Sequence, residues 1–146
     1  MTLTKRGDYR YGEGHADIRE ELLRYSQLNG YPAEHFANAA CPCGGRVFRL
    51  LLDDLEGAAI RACIACGADH PIGDSDEYLA EVTLGTCACP CGGEEFEITA
   101  AVSLYTGTSD VKWLYLGCRC TFCGLTAVYG DWKNEFIGYR EFLARV

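Results

Sequence analysis

Apolar residues recur at helical spacing in one early stretch of the chain. Ile18, Leu22, Tyr25 and Leu28 share a face. Asp17 stands where a cap belongs, with Glu20 at the capping-box position, and Asn29-Gly30 with Pro32 stops the element. These residues predict an amphipathic helix of about three turns, whose apolar face either completes a core or meets a partner. Further on, the pattern shifts to short runs with strand character. Residues 46–52 run out and 58–62 return through a turn at 53–57; residues 95–99 run out and 111–116 return past a long tip at 105–110. A third short strand follows each hairpin, 125–129 being the clearer. Residues 1–14 read as an extended arm. Residues 132–146, with Phe136, Ile137, Tyr139, Phe142 and Leu143, predict a short closing helix in spite of Gly138.

The hairpins are bracketed by cysteines. Ten occur in the chain, in four clusters: Cys41-Pro-Cys43-Gly-Gly, Cys63-Ile-Ala-Cys66-Gly, Cys87-Ala-Cys89-Pro-Cys91-Gly-Gly and Cys118-Arg-Cys120-Thr-Phe-Cys123-Gly. The first and third clusters align as one motif, and the second and fourth as another. Cys43 and Cys63 are 20 residues apart, Cys91 and Cys120 are 29 apart, and the extra nine fall at the long hairpin tip. Gly73-Asp74 and Gly130-Asp131 then lie at matching distances after Cys66 and Cys123. The second unit is a lengthened copy of the first.

This register selects the ligands. A disulfide from Cys41 to Cys43 would close a small strained ring, whereas two close pairs supply opposite edges of a four-sulfur tetrahedron, its sulfurs about 3.8 Å apart around zinc. One site is Cys41, Cys43, Cys63 and Cys66; the other is Cys89, Cys91, Cys120 and Cys123. Cys87 aligns with Ala39 and Cys118 with Arg61, so neither belongs to the shared set. They are free thiols, a redox pair or alternative ligands. The glycine pairs 44–45 and 92–93 permit positive φ and close approach of backbone amides to sulfur.

Knuckle, hairpin, knuckle and third strand resemble the zinc-ribbon superfamily over Cys41 to Asp131, with Cys-x-Cys in place of the commoner Cys-x-x-Cys in the first half of each unit. The resemblance implies a small metal-stabilised α+β protein, mainly β. It would hold two tandem zinc ribbons of three antiparallel strands each, with helices at both ends. The expected organisation is an arm and helix over 1–40, ribbon one over 41–86, and ribbon two with its extension over 87–146. Four thiolates leave no open coordination position, so both zincs are expected to be structural and to supply folding free energy. His15, His35 and His70 are not spaced as ligands. The carboxylates Asp53-Asp54 and Asp74-Ser75-Asp76-Glu77 fall at turns, as solvated acids. No active site assembles from these residues, and the expectation is a protein that is not an enzyme.

Charge then weighs the partners. The 146 residues are 49% hydrophobic and carry a net charge of -8. No apolar run approaches the roughly 18 residues of a membrane span, and the start has no secretory core, so a cytoplasmic protein is expected. Two tetrathiolate zincs would take the charge towards -12. Residues 41–86 carry three basic and eight acidic side chains. Arg46, Arg49 and Arg61 could still form a local basic stripe. Nucleic-acid affinity rests on cations at phosphates, which this balance disfavours; a basic protein partner fits it better. Trp113 and Tyr115 share one strand face and are either anchors for that partner or packed beneath the helix. The expected function is a non-enzymatic zinc-binding protein-interaction module, acidic, of inhibitor or immunity type. The alternatives are a transcription- or RNA-associated zinc ribbon and, third, a redox or zinc enzyme using Cys87 and Cys118.

Overall fold

Ten strands join one antiparallel sheet in the computed structural model, which describes residues 3–146. In chain order they are β1 (Thr4–Arg6), β2 (Tyr9–Tyr11), β3 (His35–Asn38), β4 (Phe48–Asp53), β5 (Ala58–Cys63), β6 (Asp69–Pro71), β7 (Gly85–Thr86), β8 (Phe96–Leu104), β9 (Val111–Cys120) and β10 (Leu125–Phe136). Helix α1 (His15–Asn29) precedes β3 and the short α2 (Tyr139–Leu143) follows β10. The path through the sheet is β1-β2-β10-β9-β8-β4-β5-β6. Each predicted hairpin is present, β4–β5 with β6 beside it and β8–β9 with β10 beside it.

The strand order is a palindrome about its middle. β4 and β8, the first strands of the two repeats, meet at the single pair Phe48↔Phe96. Each phenylalanine is the seventh residue after the first ligand cysteine of its unit, so equivalent residues face each other in antiparallel pairing. Such a pair defines a local two-fold axis, as at an isologous interface. The segments before the first knuckles obey the same symmetry and cross over. Asn38 of β3 pairs with Thr99 of β8, and Thr86 of β7 pairs with Leu51 of β4. Ala39 N–H donates to Ile98 O at 2.9 Å, and its counterpart Cys87 N–H donates to Leu50 O at 2.8 Å. Each half thus lends its leading segment to the other half's first strand.

Side chains from both halves fill one interior. Phe48, Leu50, Ile72, Phe96, Ile98, Leu114, Leu116 and Phe142 lie in the same buried cluster. Gly57 lies against the Trp132 ring and Gly130 against Leu52, which closes the β4–β5 hairpin over β10. The longer second half carries α1 on its other face. Ile18 and Leu22 press on Gly117, where a Cβ would lie 2.6 Å from Ile18 Cγ2, and with Tyr115 and Ala101 they form a second cluster.

The flanks differ from the sequence pattern in three ways. The helix begins at His15 with Gly14 as its cap residue. Asp17 sits inside the first turn, buried, and its carboxylate reaches back to accept Glu13 N–H at 2.7 Å. The buried face runs through Ile18, Leu22 and Ser26, so it drifts off the predicted stripe and leaves Leu28 76% exposed. At the other end, β10 continues to Phe136 and only Tyr139–Leu143 is helical. Gly130-Asp131 is not a turn like Gly73-Asp74: a register shift between Val128 and Gly130 bends β10 and lets the strand proceed.

Because both phenylalanines are fully buried on the axis, Phe96→Ala is expected to cost about 3–5 kcal/mol. Chemical denaturation of that protein should show near-UV and far-UV signals moving together to a lower midpoint. Separate transitions for the two halves would contradict the shared core.

Candidate metal centres

The Cys-Pro-Cys-Gly-Gly sequence builds the same turn twice. Cys41 N–H donates to Gly45 O at 2.8 Å and Gly44 N–H to Cys41 O at 2.8 Å; Cys89 N–H to Gly93 O and Gly92 N–H to Cys89 O repeat this at 2.7 and 2.8 Å. The two glycines do different work. Gly44 and Gly92 have φ of 96° and 93°, in the region that favours glycine. Gly45 and Gly93 have ordinary φ but no room, since a Cβ would lie 2.6 Å from Cys63 Sγ in one and 3.0 Å from Cys120 Sγ in the other. The Cys-x-x-Cys-Gly turns close likewise, Gly67 N–H on Cys63 O and Gly124 N–H on Cys120 O, both at 2.8 Å.

Each set of turns brings four sulfurs together. Cys41, Cys43, Cys63 and Cys66 form one tetrad and Cys89, Cys91, Cys120 and Cys123 the other, with all Sγ atoms of a set within 4.8 Å of one another. The closest approaches are Cys41–Cys66 at 3.6 Å, Cys43–Cys63 at 3.7 Å, Cys89–Cys123 at 3.5 Å and Cys91–Cys120 at 3.6 Å. The edge of a four-sulfur tetrahedron around a metal with bonds of about 2.3 Å is ~3.8 Å. Each tetrad could therefore hold one metal ion, and the eight residues selected by the repeat are the ones assembled.

The electrostatics are those of a site that could hold a cation. Backbone N–H of Cys66 draws the Cys63 thiol down to about 7, and that of Gly93 does the same for Cys91. Gly45 N–H pulls on Cys43 too, but the neighbouring Cys41, Cys66 and Cys63 outweigh it and push the thiol up to about 12. Burial pushes Cys89 up to about 12. Four sulfurs this close cannot all be anionic on their own; a metal ion among them removes the conflict.

Two orphaned donors fit the same conclusion, one at each tetrad. Arg61 is 3% exposed and lies over the Phe48 ring at 4.6 Å. Its Nη2 donates to Ala40 O at 3.2 Å and Val146 O at 3.1 Å, while Nε is buried without a partner. No aspartate or glutamate among the described residues pairs with it. Burial lowers its pKa and the adjacent Cys41 and Cys63 raise it. At the second tetrad the buried Tyr129 hydroxyl has no hydrogen-bond partner. Burial raises its pKa, and so do Cys89, Cys118 and Cys120 nearby. A buried guanidinium without an aspartate or glutamate partner is costly. Cys41 beside Arg61 and Cys89 beside Tyr129 offer sulfur acceptors to these donors.

Other singled-out residues fall outside the tetrads. Cys118 is fully buried, and burial raises its thiol well above the usual range; Cys87 is half-buried and pushed up to about 11 by burial and then by Asp54. The histidines are engaged elsewhere: His15 Nδ1 with Thr99 Oγ1 at 2.9 Å, His35 stacked on Tyr139, His70 Nε2 with Arg145 O at 2.6 Å. Asp53 is the turn acid expected, accepting Glu56, Thr83 and Leu55 N–H groups. Asp74 is not: it is 4% exposed and accepts Asn134 Nδ2 at 2.9 Å. The anticipated arginine stripe is broken because Arg61 points inward. The aromatic anchor is absent as well. Tyr115 is fully buried under α1, donating to Tyr31 O at 2.7 Å, and Trp113 is covered by Tyr31 at 4.9 Å and donates to Asp131. Sequence reasoning missed Arg61 as a neighbour of the first tetrad; the one signal was its alignment with a cysteine.

Gly45→Ala is expected to lower bound metal by about one equivalent per chain, because the added methyl displaces Cys63 Sγ. Elemental analysis of the purified protein checks it; unchanged content would mean that the turn yields.

Among the described residues no helix is long and apolar enough to cross a membrane. Compared with protein-family models, with curated proteins and with solved structures, the chain matches none of them.

Proposed function

We propose that the chain is a non-enzymatic, zinc-stapled protein-interaction module whose acidic face docks a basic protein. Zinc is the metal that suits two closed sets of four thiolates, with no position left for water or substrate. On this reading each half is a zinc ribbon and the metals supply folding free energy that a small core lacks. The observation that carries the partner class is the exposed charge of residues 41–86. Asp54, Glu56, Asp69, Asp76, Glu77 and Glu81 are exposed, and of three arginines only Arg46 and Arg49 are, since Arg61 is buried. Six exposed acids against two exposed arginines leave the outward balance of this segment acidic. Zinc bound to four thiolates would add further negative charge.

Such a surface repels phosphate backbones and steers basic proteins towards itself. A partner of toxin or nucleic-acid-processing type, masked by this face, fits the reading. The test uses zinc-loaded protein titrated against basic proteins encoded beside it, with duplex DNA and RNA in parallel at low salt. A complex at micromolar concentration or tighter is expected with protein, weakening as salt rises. The double charge reversal Asp76→Lys, Glu77→Lys should weaken it by roughly tenfold, about 1.4 kcal/mol. Binding to nucleic acid alone, or to nothing basic, would overturn the proposal.

A further inference from the structure

We propose that the two metal centres differ in reactivity, and that the second is a zinc-releasing site for thiol oxidants while the first is a permanent staple. The inference rests on the zinc reading above. It begins from one pair of equivalent positions. Arg61 pairs with Leu50 on β4 and His70 on β6, and Cys118 pairs with the corresponding Ile98 on β8 and Ala127 on β10. The same site in the fold holds a buried arginine beside the first tetrad and a buried cysteine beside the second.

The ligand geometry of the two centres is nearly identical, so their difference must come from these surroundings. A zinc ion with four thiolates carries a net charge of -2. At the first centre the Arg61 guanidinium, held by Ala40 O and Val146 O, offsets part of it from inside the protein, where screening is weak. At the second centre no cation occupies the equivalent buried position: Arg119 and Arg6 line the cavity beside Cys123, and Arg119 is held by Glu97 Oε1 at 3.0 Å and Gly12 O at 2.7 Å. Leu125 N–H reaches Cys123 Sγ at 3.4 Å and Gly93 N–H reaches Cys91 Sγ at 3.4 Å, with the Tyr129 hydroxyl nearby. The Gly93 contact has its twin at the first centre, Gly45 N–H on Cys43 Sγ at 3.4 Å. Backbone N–H groups reach sulfur at both centres, Cys66 N–H on Cys63 among them, so the buried charge of Arg61 is what sets the two apart. The second set of sulfurs is the more electron-rich and the better nucleophile.

Accessibility alone predicts the opposite order. Cys43 and Cys66 are both exposed at the first centre, against Cys91 at the second with Cys123 half-buried beside Phe122. The two effects can be separated by experiment. Hydrogen peroxide is the oxidant: two zinc-bound thiolates give up two electrons and join in an S–S bond. The O–O bond breaks, two protons from solvent complete two water molecules, and Zn²⁺ leaves.

The full chain, confirmed to hold two zinc ions, is treated with limiting peroxide in the presence of a chromogenic zinc indicator. At release of one equivalent the disulfides are mapped by mass spectrometry. The expected result is oxidation among Cys89, Cys91, Cys120 and Cys123 with Cys41, Cys43, Cys63 and Cys66 intact, and two release phases separated by roughly tenfold or more. Arg61→Met should speed the slow phase towards the fast one, and Arg61→Lys should restore the separation. Cys118→Ala, which changes no charge, should keep the order. First-centre cysteines oxidised first, or both sets together, would overturn the inference in the wild-type protein, whether or not Arg61→Met folds. A chain with fewer than two zinc ions at the outset fails the zinc reading instead.

Discussion

Phe48 and Phe96 oppose each other where the first strands of the two halves meet, and most of the architecture follows from that pairing. Equivalent residues in antiparallel register impose a two-fold relation on everything attached to them. The knuckles precede both strands, so each lies beside the axis and its leading segment must cross to the opposite half. That crossing places Asn38 on β8 and Thr86 on β4. Three short strands and a pair of cysteine turns bury little apolar surface alone. Interlocked, the halves bury Leu50, Ile98 and Leu116 in one cluster, so each centre braces a strand of the other half.

What could be read from the sequence was chemistry whose range is local. The knuckles depend on a few consecutive residues, and Gly44, Gly45, Gly92 and Gly93 carry that requirement openly. The hairpins also showed, because alternation and turn residues act over short distances. Pairing between the halves did not, since nothing in the segment 35–39 says which strand it will join. Trp113 and Tyr115 looked available for a partner on alternation alone. The cover provided by α1 and Tyr31 is a tertiary fact. Asp74 looked solvated for the same reason, and its burial depends on Asn134, 60 residues away.

The two ends of the chain continue the exchange. The N-terminal helix covers the second half through Ile18 and Leu22. The C-terminal segment bonds to the first: Gly73 N–H donates to Arg145 O at 3.0 Å, and Phe142 packs over Gly73. Arg61 extends this link inward, since the guanidinium that holds Val146 O also stands beside Cys41 and Cys63. Packing of the tail and charge at the first tetrad are thereby coupled in one side chain.

That coupling explains how a duplicated scaffold can hold two matching tetrads without two matching sites. The ligands, their turns and their backbone bonds are fixed by the same local sequence and cannot drift far without losing the tetrahedron. Freedom remains one layer out, at positions that pack against sulfur without binding metal. Arg61 and Cys118 occupy that layer, as do Ala39 and Cys87. At the first half the layer supplies a cation and ties in the chain end. At the second it supplies two thiols and a tyrosine hydroxyl in place of that cation. A structural role needs only the tetrahedron; any difference in metal behaviour between the halves has to be carried by these neighbours.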